Sequence, residues 1–131
     1  MAKNIKLEIS TNVYPEPLVC MGVKDESYDF LSYEWTEKRD GEKPSKYLMK
    51  YSKTTKQIFL TRKGEITSEL VFEQGKETKG KFVTPYGDME FTILTDMINL
   101  PNMFSPRLEL GYRMLENQDM DRNTFIIREI V

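Results

Sequence analysis

The sequence predicts an all-β protein whose short antiparallel strands close into one barrel of about eight to ten strands. Apolar side chains alternate with polar ones at every second residue, and turn-forming residues separate the alternating runs at short intervals. No segment repeats its apolar residues with the period of a helix. The length of 131 residues suits one domain, so we expect residues 1–131 to form a single barrel domain.

The alternation is clearest between Arg107 and Met114, where every even-numbered residue is apolar or aromatic. A strand places such residues on one face, whereas a helix would spread them around its circumference. The same rhythm predicts strands at 3–10, 27–36, 45–53, 57–62, 66–73, 78–85, 88–95, 106–115 and 122–131. A weaker strand is predicted at Leu18–Val23, and short turns are predicted within 12–26 and 97–105.

Glycines mark the expected hairpins between these strands. Gly64, Gly75 and Gly87 each stand between two alternating runs, and a polar loop containing Gly41 ends at Pro44. Glycine supplies the positive φ that tight hairpin turns require. Closure into a barrel would remove the unpaired edges that a long meander leaves exposed.

The residue inventory excludes several chemistries. The chain has no histidine and a single cysteine, Cys20, which rules out imidazole-based catalysis and the usual zinc and iron ligand sets. We therefore expect no enzyme, no cofactor and no metal. The first residues lack the apolar run of a signal peptide, and no stretch approaches the roughly 18 apolar residues of a membrane span. These features predict a cytoplasmic protein without a membrane partner.

Charge is distributed unevenly along the chain. Residues 36–63 contain nine Lys or Arg and three acidic residues, a charge of +6, so the rest carries −8 of the total of −2. The basic segment raises the hypothesis of a nucleic-acid or anionic-partner interface, although the net negative charge argues against nucleic acid. A solvated hairpin whose lysines discourage aggregation is the alternative.

Arg62 is the most informative single residue. Alternation places it on the same face as Ile58 and Leu60, so its guanidinium would lie at or near one end of the barrel interior. A charge in such a place needs a partner. Arg62 would either pair with a carboxylate such as Glu34 and tie strands together, or receive an anionic group of a ligand.

Tyrosines supply further candidates. Tyr47 and Tyr51 share one strand face, Tyr112 shares a face with apolar neighbours, and Tyr86 stands at a strand end. Such side chains either pack in the core or line a pocket whose walls are apolar and carry a few hydroxyls. The candidate ligand-binding residues are Arg62, Glu34, Tyr47, Tyr51, Thr84, Tyr86 and Tyr112.

The segment 97–106 is apolar but is interrupted by Pro101 and Pro106. A loop of this composition is unfavourable in water, so we expect it to pack on something. It would cap a barrel mouth, cover a gap in the core or meet a partner subunit, and we expect the first.

Short motifs along the chain resemble the YwiB-like family of small bacterial proteins of unknown function. The motifs are Tyr28 followed by Ser32-Tyr33-Glu34, Arg62-x-Gly64, Thr84-Pro85-Tyr86-Gly87, Thr95, and Leu108-x-Leu110-x-Tyr112. The resemblance covers residues 28–131 and implies a calycin-type, lipocalin-like β-barrel. It implies no established activity, and the Gly-x-Trp signature of secreted lipocalins is absent.

These observations predict a bacterial, non-enzymatic barrel that binds a small anionic or amphipathic ligand or serves in interactions, as a monomer or homodimer. Binding of nucleic acid or another anionic partner through residues 36–63 is the alternative hypothesis.

Overall fold

Ten strands account for most of the chain in the computed structural model, which describes residues 1–116 and 121–130. The strands, in chain order, are β1 (Ala2–Thr11), β2 (Leu18–Glu26), β3 (Phe30–Glu37), β4 (Ser45–Ser52), β5 (Gln57–Lys63), β6 (Thr67–Glu73), β7 (Glu77–Thr84), β8 (Gly87–Asn99), β9 (Arg107–Met114) and β10 (Asn123–Ile130). Val131, the last residue of the final predicted strand, lies outside the described residues.

Each strand pairs antiparallel with the next one in the chain, and β10 pairs back onto β1, which closes the barrel. The predicted closed antiparallel barrel is therefore confirmed. The described residues contain no helix, and hence none long and apolar enough to span a membrane.

The barrel interior is filled along its middle by the inward-facing residues that the alternation predicts. Completely buried side chains come from strands all around the barrel, including Leu7, Tyr33, Phe72, Leu110 and Ile127. Burial of apolar surface of this kind is the main stabilising contribution to a fold. Open space remains at the two ends, where the loops lie.

Strand β2 is longer than the sequence predicts and replaces most of the turns expected within 12–26. It pairs with β1 on one side and β3 on the other. Gly22 and Lys24 occupy inward positions and interrupt the apolar alternation, which hid the strand. A Cβ on Gly22 would lie 2.7 Å from the backbone oxygen of Glu34 and 2.6 Å from Leu7 Cδ1, so glycine is required by the close approach of β3.

Strand β8 continues past the predicted end at residue 95 because a β-bulge at Asp96 shifts its register against β9. Asp96 follows the buried Thr95 and lies at the surface, where its carboxylate accepts hydrogen bonds from the Arg122 guanidinium, with a shortest distance of 2.9 Å. Bulges of this type bend a strand and let it follow the curvature of a barrel. The turns expected within 97–105 are thereby confined to the short loop after Asn99.

Two of the three hairpin glycines behave as predicted. Gly75 and Gly87 have positive φ, at 79° and 132°. Gly64 does not, and the prediction for it is wrong: its role is spatial, because Ser45 Cβ would lie 3.2 Å from a Cβ at that position.

The apolar segment 97–106 lies at one end of the barrel. Leu100, Pro101 and Pro106 face the open space there, so part of the segment covers that mouth. Met103 and Phe104 point away from it, with 87% and 90% of their surfaces exposed.

Candidate functional site

The two ends of the barrel are named here after one inward-facing residue at each. The Arg62 mouth carries the loops that follow β1, β3, β5, β7 and β9. The Glu129 mouth, at the opposite end, carries the loops that follow β2, β4, β6 and β8. A cavity of about 250 Å³ opens at the Arg62 mouth and one of about 500 Å³ at the Glu129 mouth.

Arg62 lies inside the barrel end, as predicted from its alternation with Ile58 and Leu60. Its Nε donates a hydrogen bond to Ser45 Oγ at 3.2 Å, and its guanidinium carbon lies 5.6 Å from the centroid of the Tyr47 ring. Ser45 is almost completely buried. Among the described residues, no carboxylate forms an ion pair with Arg62.

The expected pair between Arg62 and Glu34 is not formed. Glu34 stands between Tyr33 and Trp35, both of which are buried inside the barrel, so its own side chain faces outward. Its carboxylate lies 2.6 Å from Lys46 Nζ. The prediction paired two residues that belong to opposite faces of the sheet.

Aromatic rings form much of the cavity wall at the Arg62 mouth. Trp35 stacks on Tyr47 with ring centroids 5.3 Å apart and an interplanar angle of 2°, and it packs against Phe125 at 6.2 Å. The rings that line this cavity are those of Tyr14, Tyr47, Phe82, Tyr112 and Phe125. Such walls suit an organic ligand better than a bare inorganic ion.

Two phenols in this wall, those of Tyr47 and Tyr112, stay protonated at neutral pH. Burial raises the pKa of Tyr47 to about 12; the nearby carboxylate of Glu37 adds to the effect and Arg62 opposes it. Burial also raises the pKa of Tyr112. Both phenols therefore present an O–H group that can donate a hydrogen bond.

Two loops meet at the rim of this mouth. The guanidinium carbon of Arg39, in the loop after β3, lies 3.6 Å from the ring centroid of Tyr14, in the loop after β1. Arg39 Nε also donates to Glu37 Oε2 at 3.4 Å. All three residues line the cavity, and the sequence analysis did not single them out. The alternation of Trp35, Glu37 and Arg39 with outward residues is the signal that would have found two of them.

The predicted candidates are divided between several places. Arg62, Tyr47 and Tyr112 line the cavity at the Arg62 mouth, whereas Tyr51 lines the one at the Glu129 mouth. Thr84 is the last residue of β7, and Tyr86 lies in the turn between β7 and β8. There the Tyr86 amide donates to Thr84 Oγ1 at 3.1 Å, and the Tyr86 side chain is 99% exposed.

The Glu129 mouth holds charges that neutralise one another. Lys24 Nζ donates to the two carboxylate oxygens of Glu129 at 3.0 and 2.8 Å, and the Tyr33 hydroxyl donates to Glu129 Oε2 at 2.5 Å. Burial and the bond to this carboxylate raise the pKa of Tyr33. Nearby, Lys53 pairs with Glu26 at 3.1 Å.

Two buried polar atoms lack a hydrogen-bond partner within the described part of the chain: Trp35 Nε1 and Thr95 Oγ1. An unpaired buried donor is costly, on the order of 1–3 kcal/mol. Trp35 packs on two residues of the cavity wall, so it is well placed to sense occupancy of the cavity.

Residues 1–116 and 121–130 contain no cluster of three or more His, Cys, Asp or Glu side chains that could hold a metal ion. Burial raises the pKa of the Cys20 thiol, which disfavours the reactive thiolate at neutral pH.

Comparison with known proteins finds one matching protein family and a solved structure with the same fold. Residues 18–126 match the family described as Domain of unknown function (DUF1934). No curated protein matches the sequence. The crystal structure of the ywiB protein from Bacillus subtilis has 16% sequence identity, a TM-score of 0.74, and an alignment covering 99% of this chain and 94% of that one. The resemblance to the YwiB-like family is confirmed, and the structural match shows a common fold.

Proposed function

The chain belongs to the DUF1934 family, a domain of unknown function, and from that premise we propose that it is a non-enzymatic barrel that binds a small ligand at the Arg62 mouth. An anionic group of the ligand contacts Arg62, and the rest of the ligand lies against the aromatic wall. The observation that carries this proposal is an inward-facing guanidinium that forms no ion pair with any carboxylate of the described residues, Glu37 of the same cavity being paired with Arg39.

The hydrogen-bonding capacity of Arg62 supports the proposal. A guanidinium has five N–H groups, and within the described residues its side chain forms one hydrogen bond, from Nε to Ser45. Partly buried charges without a compensating partner are unfavourable. An anionic ligand would supply both the charge and the missing acceptors, and the planar fork of arginine suits such a group.

The fold also supports binding. Up-and-down antiparallel barrels such as the lipocalins hold one small ligand in an end of the barrel, and this barrel has the same order of strands. As part of the proposal we place the protein among the lipocalin-like, calycin barrels. The residues that line the cavity include no histidine, cysteine or serine–base pair of a hydrolytic site, which favours binding over catalysis.

Residues 36–63 give less support to an interface with nucleic acid. Four of their nine basic residues pair with a carboxylate within 4 Å, namely Arg39, Lys43, Lys46 and Lys53, and Arg62 lies inside the barrel end. Phosphate binding requires cations that are free to release their counterions. Filter binding to RNA at low and high salt tests this alternative, which requires affinity that falls steeply with salt.

Native mass spectrometry with a library of small organic anions and neutral compounds tests the proposed function. We expect wild-type protein to retain at least one anion, and Arg62→Gln to lose it. Lys63→Gln is the matched control, because it removes one positive charge from an exposed neighbouring residue and should leave the adduct intact. Absence of any adduct, or equal retention by Arg62→Gln, would overturn the proposal.

A further inference from the structure

The charge that lines the Arg62 mouth limits the charge of its ligand. Arg39 and Arg62 contribute two positive charges and Glu37 contributes one negative charge. Burial keeps the phenols of Tyr47 and Tyr112 protonated, and so uncharged, at neutral pH. The described lining therefore carries a charge of +1, which one negative charge on the ligand would balance.

The donor groups favour a carboxylate over a phosphate. Because Nε of Arg62 is already bonded to Ser45, its two terminal nitrogens remain as a planar pair that matches the two oxygens of a carboxylate. Phosphate sites usually combine higher positive charge with a cradle of backbone amides in a glycine-rich turn or at a helix N-terminus. The described lining contains no glycine and no helix.

The size and walls of the cavity limit the body of the ligand. Its volume of about 250 Å³ is below the range of drug-sized sites, about 300–1,000 Å³. Five aromatic rings line it, together with the aliphatic or thioether side chains of Val13, Leu60, Leu70 and Met114. Aromatic walls pack best against a flat ring.

We infer that the ligand is a small monocarboxylate with an aromatic body, its carboxylate bound end-on by the two terminal nitrogens of Arg62. This inference rests on the proposed function of the same cavity. Ser45 acts as a positioning residue, since its hydrogen bond holds Nε and turns the terminal nitrogens of Arg62 toward the ligand. The absence of a side chain at Gly64 leaves the space that Ser45 occupies.

Three probes with the same phenyl body test the inference: 3-phenylpropanoate, its neutral isostere 3-phenylpropanamide, and 2-phenylethyl phosphate. Trp35 is the only tryptophan and stacks on the cavity residue Tyr47, so its fluorescence reports binding. We expect the carboxylate to bind at least tenfold more tightly than either other probe at pH 8. Arg62→Gln should abolish this preference, Ser45→Ala should reduce it, and Lys63→Gln should leave it unchanged.

Each other outcome has a defined meaning. Binding of the amide as tight as that of the carboxylate, or tighter binding of the phosphate, would overturn the monocarboxylate while leaving ligand binding intact. If none of the three probes binds, the inferred ligand class is rejected. The library of anions and neutral compounds then decides separately whether the cavity binds any ligand at all.

Discussion

At the Glu129 mouth an inward-facing ammonium, that of Lys24, lies within 3.0 Å of both oxygens of a carboxylate. At the Arg62 mouth an inward-facing guanidinium has a serine hydroxyl for its one side-chain hydrogen bond within the described residues. The first charge is satisfied inside the fold, and a tyrosine hydroxyl reinforces it. The second is oriented by that serine but forms no ion pair with a carboxylate of the described residues.

This difference separates a charge that holds the barrel together from one that is available to a ligand. Loss of either partner of a buried ion pair lowers the stability of the fold, because the remaining charge is then buried without a counter-charge. A charge without an internal counter-charge contributes little to folding, and its removal relieves a desolvation cost. Three measurements test whether the two charges differ in this way.

The largest effect is expected for Glu129→Gln, which keeps the shape of the side chain but leaves the Lys24 ammonium without a carboxylate. We expect the free energy of unfolding to fall by about 3 kcal/mol, measured by urea unfolding followed through Trp35 fluorescence. Glu8→Gln is the control, because Glu8 pairs with Arg128 on the outer face at 3.0 Å, and exposed pairs contribute little. Equal losses in the two variants would contradict the special role of the Glu129 pair.

A smaller effect is expected at alkaline pH, where Tyr47 at one mouth and Tyr33 at the other resist ionisation. The pKa of Tyr47 is about 12 in the folded protein, against about 10 in an unfolded chain. The pKa of Tyr33 is raised further, by burial and by the hydrogen bond that its hydroxyl donates to Glu129. The unfolded chain therefore loses these protons first. Stability should be intact below about pH 10 and should fall above it, by about 1 kcal/mol per tyrosine at pH 11.

Urea unfolding at pH 8, 10 and 11 measures this decline, and Tyr33→Phe and Tyr47→Phe should each make it shallower. Tyrosinate absorbance of the native protein should show Tyr47 ionising before Tyr33. The reverse order would mean that Glu129 does not hold the Tyr33 proton in the folded state.

The smallest effect is expected for Arg62→Gln. Because this guanidinium has no carboxylate partner within the described residues, its loss should change the free energy of unfolding by less than about 1 kcal/mol, and in the direction of equal or greater stability. Urea unfolding of Arg62→Gln beside Lys63→Gln measures it. A loss as large as that of Glu129→Gln would show that Arg62 stabilises the fold through an internal partner.

The alternation of inward-facing and outward-facing residues along each strand accounts for what the sequence predicts of the site. Alternation alone places Arg62, Tyr47 and Tyr112 inside the barrel, and it would also have placed Glu34 outside, next to the inward-facing Tyr33. The alternation shows on which face of the sheet a side chain lies, but it does not by itself show which end of the barrel that side chain reaches. Tyr47 and Tyr51 share a face yet lie roughly 13 Å apart along β4, one at each mouth.

Other features of the site lie beyond any local pattern. The bond between Lys24 and Glu129 joins residues 105 positions apart, across strands that are brought together when β10 pairs with β1. The contact of Arg39 with Tyr14 joins two loops of irregular conformation. Ser45 is small and polar, and nothing in its neighbourhood in the sequence marks it as the residue that orients Arg62.

The pairing of β1 with β10 has a consequence for how the molecule assembles. Along the described chain, all the remaining strand pairs join consecutive strands, and such pairs form from local hairpins at small entropic cost. This one seam, from Lys6 opposite Ile130 to Thr11 opposite Phe125, joins the two extremes of the meander. Until β1 and β10 pair, both are unpaired edge strands of the nascent sheet. These two edges are therefore where neighbouring copies would exchange strands during folding.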